Sequence, residues 1–256
     1  MTPQLTLLLL GVLGLVVGSF LNVCIYRLPR GQSVNWPGSR CTTCDRSLAW
    51  YENIPVVSWV VLRGRCRTCG ERISVMYPIV EAITAALFIA GYVIYGWTPL
   101  LAVRLAFTCA MIVLFVIDLQ HYLLPNVITV PGIVIGFALS LVLPPGWKAS
   151  LIGLVAGGGL LFAIAEAWYR FRGIEGLGMG DVKMLAMIGA FLGWKLMLVT
   201  LVLSSFAGSL IGVGAIALGR GGMKSMLPFG TFLAVGALTA AVAGDVILNW
   251  YLGFYR

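Results

Sequence analysis

Nine residues in this 256-residue chain are acidic, and two of them sit where a carboxylate needs a reason. Asp118 follows the apolar run LAFTCAMIVLFVI and opens DLQHYLLPN. Asp181 lies in GMGDVK and precedes the short apolar run MLAMIGAFLG. Two carboxylates brought together in a partly dry site do not both ionise readily, so one keeps a proton while the other acts as base. Such a pair titrates as a unit. That is the requirement for aspartyl proteolysis, in which one Asp activates water and the other protonates or polarises the scissile carbonyl. Gly178 and Gly180 supply a backbone that an extended substrate strand can approach. Plain structural readings stand beside this one. Asp181 can be a helix N-terminal residue, favoured by the dipole and the free N–H groups, and Asp118 a solvated carboxylate just past a helix end. His121 is the lone histidine; it either orients Asp118 or faces water, and one His makes no metal cluster. Lys183 and Glu81 are further near-site candidates by position, Glu81 because it follows the Pro78 entrance to an apolar run and could face a cavity.

A second constellation is CTTC at 41–44 and CRTC at 66–69, with 21 residues between the pairs. Each pair can place two thiolates on one tight turn, and two such turns make a tetrahedral four-sulfur site of the kind zinc prefers. Neighbouring arginines favour thiolate over thiol. Structural zinc held by Cys41, Cys44, Cys66 and Cys69 is the favoured reading. Disulfides or redox-active thiols are a second. A catalytic metal is a third, weakened because four Cys ligands leave no open position. Cys24 and Cys109 lie in or beside apolar runs, where a small packing role suffices.

These groups must be positioned by apolar elements. The chain is 60% hydrophobic and 10% charged, with mean hydropathy +1.00, far from the quarter charged that a soluble domain carries. A polytopic membrane protein is expected. Apolar runs fall at 5–24, 79–95, 99–117, 127–143, 150–168, 182–193, 196–218 and 230–251. The run 182–193 is short, either a brief span or a re-entrant helix. No basic residue precedes the first run and Arg27 and Arg30 follow it, the reverse of a cleaved signal, so 5–24 reads as a retained span. The net charge of +8 is explained by sidedness rather than by nucleic acid. Segment 25–78 carries Arg27, Arg30, Arg40, Arg46, Arg63, Arg65, Arg67 and Arg72. Arg170, Arg172, Lys183, Arg220 and Lys224 fall on the same side if eight spans are counted, against Lys148, Lys195 and Arg256 on the other. Arg104 lies within a span near that second face, where it can snorkel. Lys and Arg favour the cytoplasmic side, so the four-Cys segment and both aspartates are expected there, at the ends of different helices. The expected fold is an all-α polytopic membrane protein of about eight transmembrane helices, with a small zinc-knuckle cytoplasmic subdomain after the first helix. Its expected divisions are a first helix at 1–24, a four-Cys segment at 25–78 and a membrane-embedded core at 79–256. Small residues in GLVAGGGL and SSFAGSLIGVGAIALG suit close helix packing.

Taken together, GSFLNVCIYRLP (18–29), CTTC…CRTC (41–69), ENIPVVSW (52–59), DLQHYLLP (118–125), GMGDVK (178–183) and LPFGTFL (227–233) make the chain resemble the type IV prepilin peptidases. These are bifunctional leader peptidases and N-methyltransferases of the GxGD aspartyl protease group. The resemblance spans nearly the whole chain. It implies that Asp118 and Asp181 are catalytic. It also implies that prepilins and type II secretion pseudopilins are cut at the cytoplasmic face of the bacterial inner membrane, after a Gly that precedes the hydrophobic pilin helix. The new N-terminal amine is then methylated from S-adenosylmethionine, and members with the four-Cys segment are typically the bifunctional ones. One departure is Thr231, where many relatives carry a second Pro; a local backbone difference is expected there, without loss of activity. No glycine-rich nucleotide fingerprint marks the methyl-donor site. Three alternatives remain: a membrane carrier with a zinc-stabilised cytoplasmic cap, a non-enzymatic scaffold of a secretion machine, which leaves the aspartate placement without a cause, and, within the same enzyme class, a peptidase without methyltransferase activity. Transport carboxylates tend to lie near the midplane, whereas these two fall at helix ends.

Overall fold

The computed structural model describes residues 2–173, 176–218 and 227–254. Arg220, Lys224 and Arg256, counted above for sidedness, lie outside the described residues. Eight α-helices are described: α1 (Pro3–Arg27), α2 (Val57–Val61), α3 (Met76–Tyr95), α4 (Pro99–His121), α5 (Asn126–Leu139), α6 (Trp147–Arg172), α7 (Met179–Ala217) and α8 (Phe229–Gly253). No strand longer than an isolated bridge occurs among the described residues. All eight apolar runs are helical, but not as eight separate spans. Six helices are long and apolar enough to cross a membrane. Run 127–143 yields only the 14 residues of α5, about 21 Å at 1.5 Å per residue, short of a hydrocarbon core of about 30 Å. Runs 182–193 and 196–218 are joined in α7, whose 39 residues are broken by Gly193 at φ 78°, ψ 168°. Only glycine holds that backbone without strain, and a Cβ there would meet the ring of Pro145 at 3.0 Å.

The chain divides into two compact units, Met1–Val113 and Leu114–Arg256. In the first, α1 buries one face, with Thr6, Leu10, Gly14, Gly18, Leu21, Asn22 and Ile25 inward. Steps of three and four residues make that a helical stripe. Leu8, Leu9, Val12, Leu13, Val16 and Phe20 lie outward and exposed, as lipid-facing residues must. The inward stripe packs on α3. A Cβ on Gly14 would fall 2.5 Å from the Ala85 Cα, and one on Gly18 2.7 Å from the Glu81 Cα, so the helices meet backbone to backbone. Asn22 Nδ2 donates to the Tyr77 carbonyl at 3.0 Å. Arg104 does not snorkel: it is 9% exposed, with its guanidinium carbon 5.9 Å from the centre of the Tyr95 ring.

The second unit is organised around the first arm of α7. Met184, Leu185, Met187, Ile188 and Ala190 are almost completely buried there, so the weakest apolar run of the sequence is the centre of this unit. It is short because it is sheathed by protein rather than lipid. Gly157 of α6 lies against the Leu185 carbonyl, Gly153 against Gly189, and Gly136 of α5 against Phe191. Ser150 Oγ donates to the Ala190 carbonyl at 2.7 Å. Beyond Gly193, Ser204 of the second arm donates to the Phe232 carbonyl of α8 at 2.9 Å.

Candidate active site and metal centre

Asp118 lies in the last turn of α4 and is 5% exposed. Its Oδ2 accepts two hydrogen bonds from Thr231, one from the backbone N–H at 2.6 Å and one from Oγ1 at 3.0 Å. Thr231 is in the first turn of α8, where backbone N–H groups have no partner within the helix. Asp118 therefore does for α8 what a capping side chain does, but from a residue 113 positions away. The favourable end of the helix dipole faces its carboxylate.

Asp181 is in the first turn of α7, with Gly178 as N-cap. Its N–H donates to the Gly178 carbonyl at 3.1 Å, and its carboxylate is half-buried within electrostatic reach of Asp118. Leu124, in the connection from α4 to α5, holds this arrangement together. A Cβ on Gly180 would fall 2.9 Å from the Leu124 Cβ, and a Cβ on Gly230 would fall 2.9 Å from the Leu124 Cδ1 and 3.0 Å from Asp118 Oδ2. Glycine is required at both places because one leucine wedges between the starts of α7 and α8. Sequence reasoning assigned Gly180 to the approach of a substrate strand; in the structure the space at its Cα is taken by Leu124.

The other near-site candidates separate. Lys183 Nζ donates to Asn126 Oδ1 at 2.9 Å, joining α7 to the start of α5. His121 is exposed, and among the described residues no hydrogen bond ties it to Asp118. Glu81 belongs to the first unit. It is 6% exposed and accepts the Val56 N–H at 2.7 Å, holding a residue whose φ is +60°. Sequence reasoning missed Thr231 as a partner of Asp118, as well as Gly230 and Leu124. The one available signal was Thr231 itself, singled out above as a departure from the pattern that the resemblance implies, and, unlike a Pro, it carries an N–H.

The four cysteines of the first unit converge, their sulfurs all within 4.8 Å of one another, and could hold a metal ion. The two turns are copies of one design. Asp45 N–H donates to the Cys41 carbonyl and Cys41 N–H to the Arg46 carbonyl, both at 3.0 Å. Gly70 N–H donates to the Cys66 carbonyl at 3.0 Å and Cys66 N–H to the Glu71 carbonyl at 2.8 Å. Bridges Arg40–Ser47 and Arg65–Arg72 close the two turns alike. Equivalent residues Asp45 and Gly70 both have positive φ, 52° and 72°. All six cysteines of the chain are free. The N–H groups of Cys69 and then Thr68 hold the Cys66 thiol down at about 6, since donors favour the anion. Arg46 donates to Glu52 at 2.7 Å beside this centre.

Two family models match the chain: the bacterial peptidase A24 N-terminal domain over residues 12–95 and the type IV leader peptidase family over residues 105–213. The first match covers the four-Cys segment, the second both aspartates. The chain is 45% identical over 218 residues to the prepilin leader peptidase/N-methyltransferase of Myxococcus xanthus, an alignment covering 84% of this chain and 64% of that protein. This chain thus spans slightly less than two thirds of that relative. It is 36% identical over 274 residues to the protein of that name from Pseudomonas putida, covering 96% and 94% of the two chains. With the Aeromonas hydrophila protein of the same name, identity is 37% over 280 residues, covering 98% and 95%. No solved structure matches the chain.

Proposed function

The chain belongs to the type IV leader peptidase family, and from that premise we propose that it removes the leader from type IV prepilins and type II secretion pseudopilins and then N-methylates the new N-terminal residue. Asp118 and Asp181 are the catalytic pair in this reading. The observation that carries it is their placement: Asp118 at the end of α4, fixed by two donors from Thr231, and Asp181 at the start of α7, next to the Gly180 that seats Leu124, lie within electrostatic reach of one another. With Oδ2 engaged by Thr231, the other oxygen of Asp118 is left to face water or substrate. One carboxyl of the pair carries a proton for the scissile carbonyl, and the other takes a proton from the attacking water. The substrate's apolar helix rests in the bilayer, so its scissile bond is already restricted in depth and orientation, which supplies part of the proximity effect.

The same reading places the protein in the bacterial inner membrane with the pair at the cytoplasmic face, supported by the concentration of arginines in segment 25–78. Residues 1–24 serve as the first helix, 25–78 as the metal-binding segment and 79–256 as the peptidase core. The metal is zinc, held by Cys41, Cys44, Cys66 and Cys69. The Cys41 and Cys69 sulfurs are 3.8 Å apart, which fits the edge of about 3.8 Å of a tetrahedron with Zn–S bonds of about 2.3 Å. Four thiolates close that site, so its role is structural. S-adenosylmethionine supplies the methyl group as an electrophilic carbon on a sulfonium.

The test is mass spectrometry of a purified prepilin incubated with the detergent-solubilised protein, with and without S-adenosylmethionine. Loss of the leader is expected in both arms, and a gain of one methyl group only with the donor. Cleavage without methylation leaves a peptidase. No cleavage of several prepilins by folded protein overturns the reading.

A further inference from the structure

Helix α2, in the segment that carries the four cysteines, is turned inside out. Its sequence is VSWVV; Ser58 is 8% exposed, whereas Val61 is 73% exposed and Val57 and Val60 are exposed with it. Ile54, just before the helix, is exposed too. Steps of three and four residues set these four side chains on one side. The remaining side chains are tied back to the protein. Ser58 Oγ donates to the Tyr51 carbonyl at 2.7 Å and accepts the Ile54 N–H at 3.0 Å. Trp59 Nε1 donates to the Ile73 carbonyl at 3.1 Å. A helix at a water-facing surface buries its valines and shows its serine, so the outward side of α2 has an apolar partner.

The depth of α2 is set by the two helices that flank its segment. The 20 residues of α3 are about 30 Å long, the thickness of a hydrocarbon core. Glu81, in the second turn of α3, accepts the Val56 N–H at 2.7 Å. Gly18, well inside the end of α1 at Arg27, packs against the Glu81 Cα. Around that level Val16 and Phe20 of α1 and Ile79 and Ile83 of α3 are all exposed. Pro55 reaches the same level, lining a cleft with Val16, Ser19 and Phe20. The loop before α2 thus descends to where both spanning helices turn apolar side chains outward. The chain reverses there at Val56, with φ 60° and ψ −50°, and the Val57 N–H donates to the Pro55 carbonyl at 2.6 Å. That is a γ-turn of the rare, strained kind. A β-branched residue keeps such a backbone only where its surroundings impose it, and the buried Glu81 carboxyl does so here. Past the helix, Arg63, Arg65 and Arg67 are exposed, and no acidic residue occurs from Asn53 to Gly70.

We propose that α2 is an interfacial helix that lies in the bilayer, with Ile54, Val57, Val60 and Val61 against acyl chains and Arg63 and Arg65 at headgroup phosphates. The metal-binding segment is then docked on the membrane and not merely tethered to it by α1 and α3. The partner is lipid because the patch continues, at the same depth, the lipid-facing sides of those two helices, and because the charge beside it is wholly basic.

The experiment places the photoreactive residue p-benzoyl-phenylalanine at Val61 and, in a second protein, at Val60. The full-length, metal-loaded protein is reconstituted in vesicles of phosphatidylethanolamine and phosphatidylglycerol. Both side chains point outward, so the ring needs no space within the fold, and metal content reports folding. Leu13, on the lipid-facing side of α1, is the positive control; Thr68, exposed in the second cysteine turn, is the negative one. After irradiation, intact mass spectrometry is expected to show phospholipid adducts at both valine positions, as at Leu13, in yields on the order of tenfold above Thr68 or more. Yields at both positions no higher than at Thr68, in protein that keeps its metal, overturn the proposal. An adduct of two copies of the chain in place of the lipid adduct gives the face to self-association. An adduct to purified prepilin added to the vesicles, in place of lipid, gives it to the substrate. Either of these results also overturns the proposal.

Discussion

The metal centre and the aspartate pair are built in opposite ways. Each cysteine turn is local: two hydrogen bonds and one bridge close it within eight residues, from Arg40 to Ser47 and from Arg65 to Arg72. Only the meeting of the two turns needs longer-range structure. The aspartate site has almost no local content. Asp118 and Asp181 stand on different helices, the donors to Asp118 come from a third, and the wedge between them comes from a connection. A local site tolerates change in the helices around it. A site assembled from helix ends depends on every packing contact that sets their spacing, because cores transmit small volume changes.

The largest effect expected from this contrast is at the pair itself. Asp118→Asn and Asp181→Asn each lower cleavage on the order of 10²–10⁴-fold while metal content stays at that of the unmodified protein. Cleavage and metal content measured on the same preparation check this, and full cleavage by either variant breaks the pair. Next is Cys41→Ser, or removal of the metal by a chelator. Metal content falls, and methylation declines at least as much as cleavage, because the lesion is confined to the local site; separate assays of the two activities decide. Unchanged metal and methylation would sink the structural-zinc reading.

Gly180→Ala probes the spacing of helix ends. Its Cβ meets Leu124 at 2.9 Å, and overpacking typically costs about 1–3 kcal/mol, so cleavage slows by about ten- to a hundredfold. The double variant Gly180→Ala/Leu124→Ala recovers part of the loss. Failure of Leu124→Ala to help would show that the wedge does not set the geometry. Thr231→Ala removes one of two donors to Asp118, and a hydrogen bond to a charged group is worth about 1.5 kcal/mol or more. A loss of about tenfold in kcat is expected with KM little changed; a pure KM effect would contradict the positioning role.

The smallest effect is in the first unit. Arg46, and then the Ala49 N–H, hold the Glu52 carboxyl below the usual carboxylate range. Its folded value is depressed, so its contribution is present above the unfolded value of about 4.3 and is lost as pH falls through the folded value. Melting measured from about pH 5 to about pH 3 should fall more steeply in the unmodified protein than in Glu52→Gln. Parallel curves would remove Glu52 from the acid response.

Sequence alone carried the apolar runs, because hydrocarbon demands long stretches without charge. It carried the four cysteines, because metal ligands on a tight turn need fixed short spacing. It also carried the two aspartates as candidates, because an acid beside an apolar run is costly without a use. Only the tertiary structure decided the rest. Run 127–143 became a 14-residue helix, and 182–193 became the buried arm around which the second unit packs. Arg104 is buried beside Tyr95 rather than snorkelling. Thr231, Gly230 and Leu124 entered the candidate active site, and His121 was left at the surface. Periodicity and short spacing are written along the chain, whereas the distance between the end of one helix and the start of another is set by how side chains and glycine gaps interlock across helices, which no local pattern records.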